Sequence, residues 1–128
     1  MSYTIDRVIA DADFEDVDLR TRAALANHGF GVLTEIDVKA TMKKKLDVDM
    51  DSYRILGACN PNMAHRAIEM EPNVGAMLPC NVILRAVEGG VQVSAIDPLA
   101  SMQAIDNETL KSVAGQVRDM LTEVVGEI

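Results

Sequence analysis

The spacing of apolar residues along the chain predicts an alternation of strands and helices. In GFGVLTEIDV, residues 29–38, the alternation predicts a strand that places five side chains on one face: Phe30, Val32, Thr34, Ile36 and Val38. Towards the C-terminus, apolar residues recur at the helical period and predict a long amphipathic helix: Leu110, Val113, Ala114, Val117, Met120, Leu121, Val124 and Val125. The same patterns predict strands over residues 3–9, 52–60, 76–87 and 91–96, and helices over residues 13–28, 39–47 and 61–70.

Turn and capping residues mark the boundaries between these elements. Asn60 is a good helix N-cap and Pro61 a good first helical residue, because proline lacks the N–H group that would be unpaired there. Pro79 cannot donate to a strand ladder, so it predicts an edge or a bulge inside the strand 76–87. The sequence Glu-Gly-Gly at residues 88–90 predicts a hairpin turn.

This order of elements predicts one α+β domain spanning residues 1–128. The last two strands are antiparallel because a short turn joins them. We therefore expect a mainly antiparallel sheet with helices packed on one face. The order in which the strands pair does not follow from the sequence.

Composition and charge exclude several classes of protein. The formal net charge of −8 disfavours DNA or RNA as a partner, since phosphate binding needs a positive face. No apolar run is long enough for a membrane span, and the start of the chain lacks the features of a signal peptide. We therefore expect a cytoplasmic protein without a membrane partner, in which the two cysteines are thiols.

Five stretches, in their order and spacing, resemble one known family: GFGVLTEIDV, TMKKKL, YRILGACNP, LPCNV and SAIDP. They are similar to the bacterial and archaeal family called domain of unknown function 302, over about residues 3–125. The resemblance implies a curved antiparallel sheet of the TATA-binding-protein-like architecture and a homodimer. It implies no established activity, no cofactor and no catalytic residues.

The repeated Cys-Asn pairs are the candidate ligand or thiol site: Cys59, Asn60, Asn62, Cys80 and Asn81. A cysteine just before a helix start lies near free backbone N–H groups and the positive end of the dipole, which favour a thiolate. The alternative is that both cysteines are small apolar residues filling space, since free cysteine is among the most buried residue types. The Asn-Pro-Asn turn offers N–H groups to an anion, or serves as a cap alone.

Two further clusters are weaker candidates. Lys43, Lys44 and Lys45 contact an anionic ligand if they face that turn, or form a solvated helix face whose buried side is Met42 and Leu46. A metal site would need Cys59, Cys80 and His65 to converge, whereas structural zinc sites usually have four ligands at short paired spacings. We therefore expect no metal.

Two functions of different classes follow. The first is a non-enzymatic homodimeric module that binds a small molecule or another protein. The alternative is a redox, thiol-carrier or transient metal-binding protein that uses Cys59 and Cys80. The absence of a recognisable catalytic motif favours the first.

Overall fold

The computed structural model describes residues 2–128, in which five strands form a single antiparallel sheet. Their order across the sheet is β1-β5-β4-β3-β2, and every neighbouring pair is antiparallel. The strands are β1 (Thr4–Ala10), β2 (Gly31–Asp37), β3 (Tyr53–Cys59), β4 (Cys80–Val87) and β5 (Gly90–Ile96). The predicted α+β class with an antiparallel sheet is confirmed.

Five α-helices and one 3₁₀ helix connect and cover the strands. The α-helices are α1 (Phe14–Asn27), α2 (Val38–Leu46), α3 (Pro61–Met70), α4 (Pro98–Ser101) and α5 (Glu108–Glu127), and the 3₁₀ helix is Pro72–Met77. Asn60 caps α3, because its Oδ1 accepts from the Met63 N–H at 3.3 Å. The predicted change from strand to helix at this residue is confirmed. Among residues 2–128, none of the helices is both long and apolar enough to cross a membrane.

The apolar interior is divided into two clusters. The larger one, here called the sheet core, lies between one face of the sheet and helices α1 and α5, and includes Leu25, Leu56, Val82, Leu84 and Leu121. The smaller one, here called the small core, consists of Ala67, Val74, Met102, Leu110 and Ala114. Helix α5 contributes to both, since its first half packs in the small core and its second half in the sheet core.

One prediction about β2 is wrong: its alternating residues do not share one face of the strand, as was expected for Phe30, Val32, Thr34, Ile36 and Val38. The register shifts between Val32, which pairs with Ala58, and Thr34, which pairs with Gly57. Leu33 is the additional residue, and a bulge of this kind reverses the side on which the following residues lie. Val32 therefore packs against the sheet core, whereas Ile36 is 48% exposed.

The prediction of one long strand over residues 76–87 is also wrong in its first four residues. Residues 72–77 form the 3₁₀ helix, and β4 starts at Cys80. Pro79 follows a cis peptide bond from Leu78 and lies just before the strand, where its missing N–H group breaks no ladder. Helix α4, immediately after β5, was not predicted, although Asp97 caps it.

Helix α2 lies at the surface, and the expected burial of Leu46 is wrong. This side chain is 65% exposed, and no residue of α2 is buried. The Lys43 Nζ lies 2.9 Å from Asp47 and 3.2 Å from Asp49, which raises the pKa of this lysine through its hydrogen bonds to the two carboxylates. The lysine-rich segment is thus a solvated helix face.

Charged side chains join α1 to the sheet at one end of the core. Arg54 of β3 lies between Asp18 and Glu15 of α1, at 2.9 Å from each carboxylate, and its guanidinium stacks 5.1 Å from the Phe14 ring centroid. Arg22 is 2.7 Å from Asp18. Burial raises the pKa of Asp18, but the hydrogen bonds from the two arginines outweigh it and hold the pKa below its usual value.

Candidate ligand cavity

An apolar cavity of about 320 Å³ lies where the sheet core meets the small core. Most of its wall comes from α3, the first half of α5, and the adjoining ends of β3 and β4, and the rest from residues near β2, the 3₁₀ helix and α4. Small-molecule pockets usually measure from about 300 Å³ upwards and are mostly apolar, so the cavity lies in this range. It is partly open to solvent, and Leu33 and Ile68, both exposed, stand among its lining residues.

The lining contains no charged side chain. Helix α3 contributes Met63, Ala64, Ala67 and Ile68; α5 contributes Leu110, Val113, Ala114 and Val117; and the remaining residues are Phe30, Leu33, Ala58, Cys59, Asn60, Gly75, Leu78, Pro79, Cys80, Pro98 and Met102. Among these residues, polar atoms of side chains occur only in Asn60 and in the two thiols. The cavity therefore favours an apolar occupant.

The structure brings the two cysteines to this cavity. Cys59 ends β3 and is half-buried, while Cys80 begins β4 and is buried. The register explains their proximity, because Cys80 pairs with Ala58, the residue directly before Cys59. Both cysteines are free thiols. Burial, and to a lesser extent the neighbouring Cys59, raise the pKa of Cys80 to about 11, so its sulfur is protonated at neutral pH.

Asn60 lies beside Cys59 at the same end of the cavity. Its Oδ1 is the cap of α3, and its Nδ2 stands over Gly29, 3.2 Å from the position that a Cβ on this glycine would occupy. Gly29 has a φ of +79°, a conformation that side-chain-bearing residues rarely adopt. The turn after α1 thus leaves room for the amide of Asn60.

Other predicted site residues lie elsewhere. Asn62 and Asn81 are exposed and do not line the cavity, because Asn62 follows Pro61 on the outer side of α3 and Asn81 alternates with the inward-facing Cys80 and Val82. The side chain of His65 is 76% exposed and lies 3.2 Å from Glu69. His65 therefore does not converge with Cys59 and Cys80, and residues 2–128 contain no cluster of three or more His, Cys, Asp or Glu side chains suited to a metal.

The lysines are also separate from the cavity. Lys39 and Lys43 border a different surface depression, with Asp37 and Asp49, and Lys44 and Lys45 are exposed. The expectation that Lys43, Lys44 and Lys45 face the Asn60 turn is wrong. Helix α2 follows the end of β2 that pairs with Arg54, whereas Asn60 follows the opposite end of β3.

The sequence did not show that most of these lining residues border a cavity. Leu110, Val113, Ala114 and Val117 were predicted as core residues of the last helix, and the helical period gives no sign that part of this face borders a void. Leu33 was missed because the bulge that places it at the cavity has no signature in an alternating strand.

Comparisons with known proteins identify a family and a fold. The family model described as "Domain of unknown function DUF302" matches residues 6–128. A solved structure, described as "Crystal structure of uncharacterized conserved protein DUF302 from Bacillus stearothermophilus", is similar with a TM-score of 0.92 and 22% sequence identity, over 99% of this chain and 98% of that chain. No curated protein matches the chain.

Proposed function

The chain belongs to the family of domain of unknown function DUF302, and we propose that it is a non-enzymatic module that binds a small apolar molecule. The supporting observation is the cavity of about 320 Å³ between the sheet core and the small core, whose lining carries no charge. The family description names no activity, so the function is inferred from the cavity alone.

The physical argument is that an apolar cavity of this size is unfavourable when it is empty. Protein interiors are close-packed, and void volume costs contacts that the lining atoms would otherwise make. An apolar ligand restores those contacts and removes apolar surface from water, at about 25 cal/mol for each Å² buried. An engineered apolar cavity of about 150 Å³ binds benzene, and the present cavity is roughly twice as large.

The lining supports binding rather than catalysis. General acid–base chemistry needs titratable groups with a pKa near the working pH, held within hydrogen-bonding distance of the substrate. The ionisable side chains in the lining are the two thiols, and the Cys80 thiol is protonated at neutral pH. Binding by shape and hydrophobicity requires neither thiol to react.

Titration with N-phenyl-1-naphthylamine, a neutral apolar dye whose fluorescence increases in apolar sites, tests the proposal. Ala64 lines the cavity from α3, whereas the next residue, His65, faces solvent. Ala64→Trp should fill the cavity and abolish saturable binding, and the matched variant His65→Trp should bind like the wild type. No saturable binding by the wild type, or equal binding by both variants, would overturn the proposal.

The thiol function remains the second candidate, because Cys59 and Cys80 line the same cavity. It requires at least one thiol that reacts in the folded protein. Iodoacetamide labelling of Cys59→Ser and Cys80→Ser separates the two thiols. If neither thiol is labelled until the chain is unfolded, the thiol function is excluded and the binding function is unaffected.

We also propose that the protein is a homodimer that associates through the second face of the sheet. Val8 is 56% exposed there, between inward-facing neighbours on β1, and Ile36 is exposed on the opposite edge strand, β2. A face with exposed apolar residues on both edge strands is suited to a second copy of itself. Val8→Lys should lower the mass measured by light scattering at micromolar concentration from dimer to monomer, while Leu19→Lys on α1 should not. A monomeric wild type would refute this assembly.

A further inference from the structure

One polar group in the cavity wall, the side-chain nitrogen of Asn60, has no hydrogen-bond partner among residues 2–128. Apart from the thiols, Asn60 is the only residue in the lining, within residues 2–128, that has a polar side chain. Its Oδ1 accepts the hydrogen bond that caps α3, which fixes the orientation of the amide. The Nδ2 group makes no hydrogen bond to residues 2–128, and Asn60 itself lines the cavity next to Cys59.

A donor of this kind selects an acceptor on the ligand. A hydrogen bond from a neutral amide favours a carbonyl or ether oxygen, and a ligand that placed a hydrocarbon there would leave the N–H groups unpaired when they lose water. Geometry supports the assignment, because Oδ1 and Nδ2 cannot exchange places without losing the cap.

The charge of the surroundings restricts the ligand further. A carboxylate or an ammonium group in the cavity would lose its hydration without meeting an opposite charge, since no lining residue is charged. The net charge of −8 adds a repulsion for anions. The occupant must therefore be neutral.

We infer that the ligand is a neutral, mainly apolar molecule, about the size of two fused rings, with one carbonyl-type acceptor that Asn60 Nδ2 binds. This inference rests on the proposed function, because it specifies the occupant of the same cavity. It assigns Asn60 two tasks: its oxygen caps α3, and its nitrogen selects the ligand.

Displacement of N-phenyl-1-naphthylamine by three compounds of similar shape tests the inference: naphthalene, 2-acetylnaphthalene and 2-naphthoate. Each is titrated into the wild type, Asn60→Gly and Asn60→Asp. Glycine and aspartate are both tolerated at the N-cap, so both variants retain α3 while they lose the side-chain donor. The ratio of the ketone affinity to the naphthalene affinity, compared between proteins, cancels the difference in hydrophobicity between the two compounds.

The expected result is that this ratio is about fivefold higher in the wild type than in either variant, as the loss of one hydrogen bond predicts. The carboxylate should bind the wild type at least tenfold more weakly than the ketone, since it would be buried without a counter-charge. If one variant fails to fold, as judged by circular dichroism, the other supplies the comparison.

The failures of the two proposals are distinguishable. If the dye does not bind, the proposed function fails. If the dye and naphthalene bind but the ratio is the same in wild type and variants, or if the carboxylate binds as well as the ketone, the inference about the ligand is overturned and the cavity remains a binding site for hydrocarbons.

Discussion

Arg54 of β3 donates from Nη1 to Oδ2 of Asp18 on α1 over 2.9 Å, and the Asp18 side chain is 6% exposed. This ion pair joins the sheet to the helix that covers it. A second arginine, Arg22, donates to the other oxygen of the same carboxylate at 2.7 Å. The carboxylate is therefore satisfied by two guanidinium groups in a place where an unpaired charge would be costly.

Removal of this carboxylate should destabilise the protein. Asp18→Ala leaves two arginines beside a buried gap, and we expect the free energy of unfolding to fall by about 2–4 kcal/mol. Urea denaturation measures the change. Asp16→Ala is the matched control, because Asp16 forms an exposed pair with Arg20 on the same helix and should cost less than about 0.5 kcal/mol. Equal losses in the two variants would show that the Asp18 ion pairs contribute nothing specific.

The depressed pKa of Asp18 also predicts a pH dependence. A carboxylate with a lower pKa in the folded state stabilises that state above its unfolded pKa, which is about 4, and the contribution is lost as the pH falls through the folded pKa. The stability advantage of wild type over Asp18→Asn should therefore be full at neutral pH and narrow as the pH falls below about 4. An advantage that stays constant on acidification would contradict the assigned ionisation.

Gly57 of β3 lies close to the side chains of Pro79 and Thr34. A Cβ there would lie 2.7 Å from Pro79 Cγ and would also overlap the Thr34 side chain. Gly57→Ala should lower the unfolding free energy by about 1–3 kcal/mol, a typical cost of overpacking. Gly31→Ala on β2 is the control, since a Cβ at Gly31 meets nothing within 4 Å. Thr34→Ala in the Gly57→Ala background should recover part of the loss, because the contact with Pro79 remains.

The same substitution at two buried alanines should change the unfolding free energy in opposite directions, because only one of the two borders the cavity. Ala114 of α5 borders the cavity, whereas Ala24 of α1 is packed in the sheet core. Ala114→Met should raise the unfolding free energy by about 0.5–1 kcal/mol, because an unbranched side chain fills the void. Ala24→Met should lower it by about 1–3 kcal/mol. Thermal unfolding of both variants measures this, and destabilisation of the same size in both would show that the void does not accept a side chain.

The raised pKa of Cys80 predicts slow alkylation. In Cys59→Ser, iodoacetamide should label Cys80 slowly at neutral pH, and the rate should increase up to about pH 11. Because the folded pKa lies above that of an unfolded thiol, the stabilisation from a neutral Cys80 is complete below about pH 8.5 and is lost as the pH rises towards 11. Cys80→Ala should therefore lose less stability than wild type over this alkaline range. Rapid labelling of folded Cys80 at neutral pH would contradict its burial.

The sequence predicted elements whose signals are local. Asn60 and Pro61 fixed the start of α3, and the apolar period of α5 fixed its buried face, because capping and periodicity depend on neighbours in the chain. The sequence did not predict the bulge at Leu33, which depends on the register with β3, or the 3₁₀ helix at 72–77, which packs against α3.

The same distinction applies to the site. Three of the candidate residues, Cys59, Asn60 and Cys80, lie together at the cavity, because they mark the ends of two strands that the structure places side by side. Asn62, Asn81, His65 and the lysines were not part of it, because the side of an element on which a residue lies is decided by packing between distant segments. The cavity itself is a mismatch between two packed clusters, which no residue pattern encodes.

The division of the interior has a consequence for how a molecule enters and leaves. The small core holds only five buried residues, and three of its contributors, α3, the 3₁₀ helix and α4, are short. Proteins open locally where few buried contacts must be broken, and at a free energy well below that of complete unfolding. Release of a bound molecule would then follow the local opening of α3, the 3₁₀ helix and α4 while the sheet stays intact. The residence time of the molecule would be set by these short helices, and the thermal stability of the protein by the sheet core.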